Sequence, residues 1–340
     1  MVKIRRINNK IAFISDLHNN KEFLKKILPW IKNKDVDAII LGGDIPGHTT
    51  SSFLSILKQF LKLNKPIIIF PGSHENQSIY KETLAKIKPF DKKKLLIDGV
   101  RNRLIDYKGW EFIIIPGSKV VSSGPGKWFG GSYWLFENKI TSSMKRRAEK
   151  KLREIGFSKK ESLVSIYDTV KAIEKKSKVS GSKKILFSHE PLKNKTSNGL
   201  DLAVFGKIIK NFKIDKKHFS SREIKKLFEK FLDRTFEKDQ VLTLEKTNAL
   251  QKYSYPVKIT KKHVGDEAIN KFLKKQKITK MVCGHIHECS FRAIDFSEKK
   301  IKPNIFHKEA LINSGLNNVT IISFENKSYK NKVSFEFYEE

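Results

Sequence analysis

The sequence predicts an α/β fold in which parallel strands are joined by crossover helices, and two observations predict it. In the first third of the chain, short apolar runs alternate with amphipathic stretches in a β-α-β-α-β rhythm. Five apolar runs, there and further on, each end in a small group of Gly, Asp, Ser or His. In open α/β sheets that carboxyl edge is where ligands bind.

Residues 11–15 are the first apolar run. Residues 20–34 carry Phe23, Leu24, Ile27, Trp30 and Ile31 at helical spacing, with Pro29 placing the middle in question. Residues 37–41 form a second run, 49–63 an amphipathic helix with Thr and Ser available as caps, and 66–70 a third run. Residues 112–115, 184–187 and 280–283 read as further buried strands. Residues 311–313, 319–324 and 332–338 close the chain as strands, the last with alternating Val333, Phe335 and Phe337. Two stretches look like additions to this scaffold. Residues 118–182 begin with the Gly/Ser/aromatic loop SSGPGKWFGGSYWLF and continue as charged helical sequence; residues 206–262 are Lys-rich and mostly helical until about residue 232. The expected organisation is one domain over 1–340 with these two inserted segments.

With 340 residues and 39% hydrophobic content, the chain can bury a sizeable core. Its N-terminus, MVKIRRINNKIAFISD, has too few apolar residues for a signal peptide or a membrane span, so the expected location is cytoplasmic. Only Cys283 and Cys289 are present, which excludes a disulfide scaffold. The net charge of +33 suits a polyanionic partner, nucleic acid included. Lysines far outnumber arginines and are spread along the chain, which favours compositional bias with general anion attraction over a dedicated nucleic-acid site.

The chemistry lies after the strands. Residues 11–15 lead into Asp16-Leu17-His18, 37–41 into Gly42-Gly43-Asp44, and 66–70 into Pro71-Gly72-Ser73-His74-Glu75. Residues 184–187 lead into Ser188-His189-Glu190, and 280–283 into Gly284-His285-Ile286-His287-Glu288. Five of the nine histidines therefore gather at one rim with at least two carboxylates. Two divalent ions roughly 3.5–4 Å apart, clamping a phosphate and activating water, need such an inventory. Imidazoles completing each shell suit Mn, Fe or Zn better than Mg or Ca.

In this order, DLH, GGD, GSHE, SHEP and GHIHE resemble the motifs of the calcineurin-like metallophosphoesterase superfamily. Asn313-Ser314-Gly315 resembles the Asn-x-Gly that follows them there. HEPL at 189–192 and HVGDEAINKFLKKQKITKMVCGHIHE from His263 are closest to an archaeal-type subgroup of small metallophosphoesterases. The resemblance implies a two-sheet αββα sandwich with helices outside, here with helical insertions. It implies that Asp16, His18 and His287 hold one metal and that Asp44 bridges. His189 and His285 would hold the second metal, and His74 would face the phosphate as a donor. Two divalent ions are implied, Mn first, with Fe, Zn, Ni or Co as alternatives. The expected activity is hydrolysis of a phosphomonoester or phosphodiester by direct attack of metal-activated water.

One position departs from the family. Ser73 stands where an Asn normally ligates the second metal, and a hydroxyl is a shorter, weaker neutral ligand. Ser73 is expected to coordinate directly or through water, or to be compensated by Glu75 or Asn76, giving a weaker or more selective second site. Two alternatives stay open: a nuclease or nucleotide phosphodiesterase, with the aromatic loop at 128–136 stacking bases, and a non-catalytic binding or assembly module.

The remaining candidates have plainer readings. His48 reads as a surface turn residue with a substrate contact as the alternative, His218 and His307 read as surface residues, and His263 as either substrate-side or metal-proximal, or helix-capping. Cys283 and Cys289 read as buried, not as ligands, and Glu190 and Glu288 as partners orienting imidazoles. GPGKWFGG is a lid, a platform or a plug over the sheet, and the basic helices within 145–176 and 206–232 are solvated faces. Oligomeric state is not readable.

Overall fold

The computed structural model describes the whole chain except residues 5–7, 46–48, 76, 108, 119–132, 137–140, 144–145, 147–161, 214–234, 239–240, 326–330 and 339–340. Two mixed sheets dominate. The first runs in the order Val333–Phe337, Asn318–Phe324, Lys10–Ser15, Ala38–Leu41, Ile67–Ile69 and Leu96–Asp98. From Lys10–Ser15 onward its strands are parallel; the two C-terminal strands add on antiparallel. The second runs Val2–Lys3, Leu104–Tyr107, Trp110–Ile115, Lys184–Ser188, Lys280–Cys283, Ala310–Asn313 and Arg292–Ile294. Its centre, from Trp110–Ile115 to Ala310–Asn313, is parallel.

The strands are apolar on both faces because both faces are covered. Side chains alternate across a strand, so one set from each sheet meets its counterpart between the sheets. Phe13, Ile40, Ile68 and Phe70 pack there with Phe112, Ile114, Phe187, Val282 and Ile312. The Phe13 and Phe187 rings stack 5.9 Å apart across the gap. The other set faces outward onto helices. Ile14, Ile39, Leu41 and Ile69 share a core with Phe23, Leu24 and Ile27 of helix Lys21–Asn33 and with Phe53, Ile56 and Leu57 of helix Thr50–Leu61. Ile113, Leu186 and Met281 belong to that core with Ile269, Phe272 and Leu273 of helix Glu267–Lys275. This is the αββα sandwich that the motifs imply.

Local chemistry sets the helix starts. Asn20 accepts from Phe23 N at 3.0 Å, and Thr49 accepts from Ser52 N at 3.2 Å. Pro29 sits inside the first helix without ending it: the helix closes through Lys34 N donating to Trp30 O at 3.0 Å.

Within the first addition, Tyr133–Phe136 pairs in parallel with Ser162–Ser165, and helix Ile166–Lys176 buries Ile166 and Ile173 in the main core. Lys171, Lys175 and Lys176 of that helix are exposed, as a solvated face requires. Within the second, Gly206 to Ile208 end a strand, Leu202–Ile208, so the helical expectation does not hold there: LAVFGKI is β-branched and aromatic without a helical period. That strand lies between Val241–Thr243 and Val257–His263 in an antiparallel three-stranded sheet. The segment expected to be helical up to residue 232 lies mostly outside the described residues, as do GPGKWFGG, His48, Asn76 and His218. No helix among the described residues is long and apolar enough to cross a membrane.

Candidate metal centre

The carboxyl ends of five strands from the two sheets converge. Two loops of the first sheet are joined by backbone bonds: Asp16 N to Gly43 O at 3.0 Å and His18 N to Asp44 O at 2.9 Å. Gly284 N to His189 O at 3.1 Å joins two loops of the second. Asp16 Oδ2 accepts from the backbone of His285 at 2.9 Å, so this buried carboxylate spans both sheets. Asp16, His18, Asp44 and His285 all have positive φ, between 45° and 71°. Non-glycine residues held in that region mark a backbone bent to present side chains. Gly72 permits the approach that follows. A Cβ there would stand 2.6 Å from both Asp44 Oδ1 and His189 Nδ1.

The side chains fall into two groups that can each hold a metal ion: Asp16, His18 and His287, and Asp44, His189 and His285. In the first group, Nε2 of His18 and Nε2 of His287 are 3.4 Å apart, and Asp16 Oδ1 is 3.3 Å from His287 Nε2. Ligands bound to one ion at about 2.0–2.2 Å stand roughly 3–4 Å apart, so the spacing fits. In the second group, His189 is fully buried with Nδ1 against Gly42 O at 3.1 Å. Its Nε2 is ion-paired with Asp44 Oδ2 at 3.2 Å without hydrogen-bond geometry, so this buried ring nitrogen makes no hydrogen bond. A cation beside Asp44 and His189 would satisfy that atom.

The electrostatics point the same way. Burial alone would raise Asp16 and Asp44. The His287 hydrogen bond and the His189 charge instead hold Asp16 at about 2, and the His189 charge holds Asp44 well below the usual carboxylate range. Burial would lower His189, but the Asp44 charge pushes it up to about 10. Without an ion, a proton supplies the positive charge that the two carboxylates demand. Burial and the His189 charge push His285 down to about 3, which keeps it neutral and fit to bind a metal.

Other candidates take defined places. His74 is 46% exposed, with Nε2 3.9 Å from Asp44 Oδ2 and its ring edge-on to His18. Ser73 is buried, and its hydroxyl donates to Asp44 Oδ2 at 2.6 Å. Glu75 accepts backbone N–H groups on both oxygens, from Ile45 at 3.0 Å and Gly72 at 2.7 Å. It thus ties the second and third loops together. Burial and the Asp44 charge push its carboxyl up to about 7. Glu190 Oε2 lies 3.7 Å from His285 Nε2. Glu288 accepts from Val204 N at 3.3 Å, and its charge acts on His287, whose pKa is raised, against burial, mainly by its hydrogen bond to Asp16. Cys283 and Cys289 are buried, and burial raises both thiols. Asn313 donates to Leu200 O and Ile286 O, bracing the His285 to His287 loop. His307 is half-buried, its Nε2 2.8 Å from Lys302 O.

His263 does not cap the helix that follows it; Asp266 does, accepting from Ala268 N at 2.7 Å. His263 pairs instead with Asp201, which sequence reasoning missed. Asp201 lies in an ordinary GLDL stretch 62 residues from its partner, with no local signal.

An αββα sandwich with paired carboxylate and imidazole groups at its strand ends defines a class of metal-dependent phosphoester hydrolases. The calcineurin-like phosphoesterase family model matches residues 9–217, and the chain belongs to that family. Among solved structures it is similar to the protein TT1561 of Thermus thermophilus, at 9% identity and TM-score 0.47, with 97% of this chain and 99% of that chain covered. It is also similar to the phosphopantetheinyl hydrolase PptH from Mycobacterium tuberculosis, at 10% identity and TM-score 0.40, with 91% and 90% covered. A search of curated proteins found no match.

Proposed function

We propose that this chain hydrolyses a phosphomonoester or phosphodiester at a centre of two divalent ions. The observation that carries the reading is the pair of converging ligand groups, one of which contains a buried imidazole nitrogen with no hydrogen-bond partner. Asp16, His18 and His287 would hold the first ion, and Asp44, His189 and His285 the second. The Asp44 carboxylate would be the anion available to both. When bound, the ions supply water activation near neutral pH and a clamp on the phosphate. Imidazole-rich sets favour Mn, Fe or Zn, with Ni and Co also accommodated.

The chain's own groups do the rest. Asp44 is held in orientation by Ser73 Oγ and the His74 N–H. Ser73 therefore acts chiefly through Asp44, and Glu75 keeps the two loops in register. His74, exposed beside Asp44, donates to a phosphate oxygen or to the leaving group. A donor aimed where charge grows is worth about 2.7–4 kcal/mol. The non-catalytic alternative finds little support, because every other ligand position keeps a competent residue.

The test is hydrolysis of p-nitrophenyl phosphate and bis-p-nitrophenyl phosphate by metal-stripped protein resupplied with Mn. Turnover lost in both Asp44→Ala and His74→Ala supports the reading; no turnover with Mn, Fe, Zn, Ni or Co sinks it. The second reading is a nucleic-acid ester, which the charge of +33 suits without singling it out from other anions. RNA or DNA binding that weakens steeply between low and moderate salt would support it.

A further inference from the structure

Phe291 sits where neither the local backbone nor the core asks for an aromatic ring. It is 51% exposed, and its backbone is left-handed, with φ of 60°. That conformation suits Gly or Asn and is costly for a bulky side chain. Its one ring contact among the described residues is T-shaped, with Phe337 at 5.7 Å between centroids. A strained aromatic left half in solvent is the kind of outlier that points to a binding role.

Its place is the rim of the candidate metal centre. Ser290, the residue before it, donates its hydroxyl to His287 O at 2.6 Å and accepts from Leu316 N at 3.0 Å. Asn317, next to Leu316, donates from its backbone to Asp16 O at 3.5 Å. The turn that carries Phe291 is thus bonded to His287 and, through one short segment, to Asp16, two members of the same candidate ligand group. Strand register agrees. Arg292 pairs with Asn313, and Asn313 with Cys283, so Phe291 lies at the level where Gly284 leaves its strand. It is two strand spacings, about 10 Å, from the strand that delivers His285 and His287.

Resting on the phosphoesterase reading, we propose that Phe291 is a specificity residue, a platform for a planar ring carried by the ester, while the phosphate lies at the metal centre. A phosphate held among the ligand groups leaves its organic part to run along the rim, and the exposed phenyl ring offers that part a surface. Aromatic rings attract planar partners in offset or edge-on pairs. Such stacking accepts any nucleobase, because every base has a π face, and other aryl groups on the same ground. An ester of a simple alkyl alcohol has nothing to place there. Phe291 takes no part in making or breaking bonds, so its removal should show in affinity and KM and leave kcat nearly unchanged.

The test uses the full Mn-loaded chain. Calorimetry compares thymidine 5′-phosphonate with methylphosphonate, whose carbon–phosphorus bonds are not hydrolysed and which differ in the ring. Wild type is expected to bind the first about 5–150-fold more tightly, the reach of one stacked base. Phe291→Asn suits the left-handed backbone and lacks the ring. It should remove most of that preference while methylphosphonate affinity, bound Mn and melting temperature hold. Phe291→Trp should keep the preference. In turnover, thymidine 5′-(p-nitrophenyl phosphate) and methyl p-nitrophenyl phosphate release the same leaving group. Phe291→Asn should raise KM for the first by a similar factor and leave the second unchanged. Equal affinity of the two phosphonates in wild type, or a preference intact in folded, Mn-replete Phe291→Asn, overturns the proposal and leaves the phosphoesterase reading standing. A wild type that turns over no ester overturns the phosphoesterase reading itself, and the binding comparison still decides the platform.

Discussion

Asp44 accepts from Ser73 Oγ at 2.6 Å and from the His74 N–H at 2.7 Å, while its buried carboxylate faces His189 Nε2 at 3.2 Å. Removing one of these supports should loosen the metal without dismantling the fold. Ser73→Ala is expected to weaken Mn binding about tenfold, the lower end of what partners of metal ligands contribute, measured by titration calorimetry. The same contacts predict a pH dependence. His189 has its folded pKa raised to about 10 from 6.5. In the metal-free protein its favourable contribution is complete below about pH 6.5 and is lost as pH rises through about 10. A metal must displace that proton, so Mn binding should release protons and tighten by up to about tenfold per pH unit below about 10. Calorimetry in buffers of different ionisation enthalpy, between pH 6 and 8, checks both; pH-independent affinity would contradict the assignment of His189 as a ligand.

At the scale of elements, each strand end supplies a tight loop, and the loops lie so close that side-chain size is limiting. Gly72→Ala places a Cβ 2.6 Å from Asp44 Oδ1 and His189 Nδ1. It should destabilise the protein by about 1–3 kcal/mol, as overpacking does, and weaken metal binding more than Ser73→Ala does. Thermal melting and metal titration of the variant test this. The buried strands were legible because β-branched runs covered on both faces leave no polar residue to confuse the reading. Short strands at or next to a sheet edge were not. Leu96–Asp98, Leu104–Tyr107 and Arg292–Ile294 are three or four residues long, too short to carry a period. Helix Gln77–Ile87 buries only Tyr80, Thr83 and Ile87, an apolar stripe too sparse to stand out. The candidate site was legible for the same reason as the central strands: each candidate ligand follows a run closely, so its place on the rim follows from the sheet. Asp201 escaped because its partner is brought to it only by the pairing of Leu202 with His263.

At the scale of the molecule, loops from both sheets are joined through buried charge, Asp16 holding His285 N and Asp44 facing His189 Nε2 at 3.2 Å. An ion bound at each group should therefore stabilise the whole sandwich. At free Mn about 100 times the dissociation constant, one site adds about 2.7 kcal/mol. Chelation should lower the melting temperature, and Mn should restore it. The +33 charge adds long-range attraction for any anionic ester, which salt should weaken.

The most direct measurement is the number of Mn ions bound per chain as stripped protein is titrated, followed together with turnover of bis-p-nitrophenyl phosphate and p-nitrophenyl phosphate. The account predicts two ions per chain, turnover that appears as the second site fills, and loss of both the second ion and turnover in Asp44→Ala. Turnover that survives metal removal, or a single ion sufficient for full activity, would contradict it.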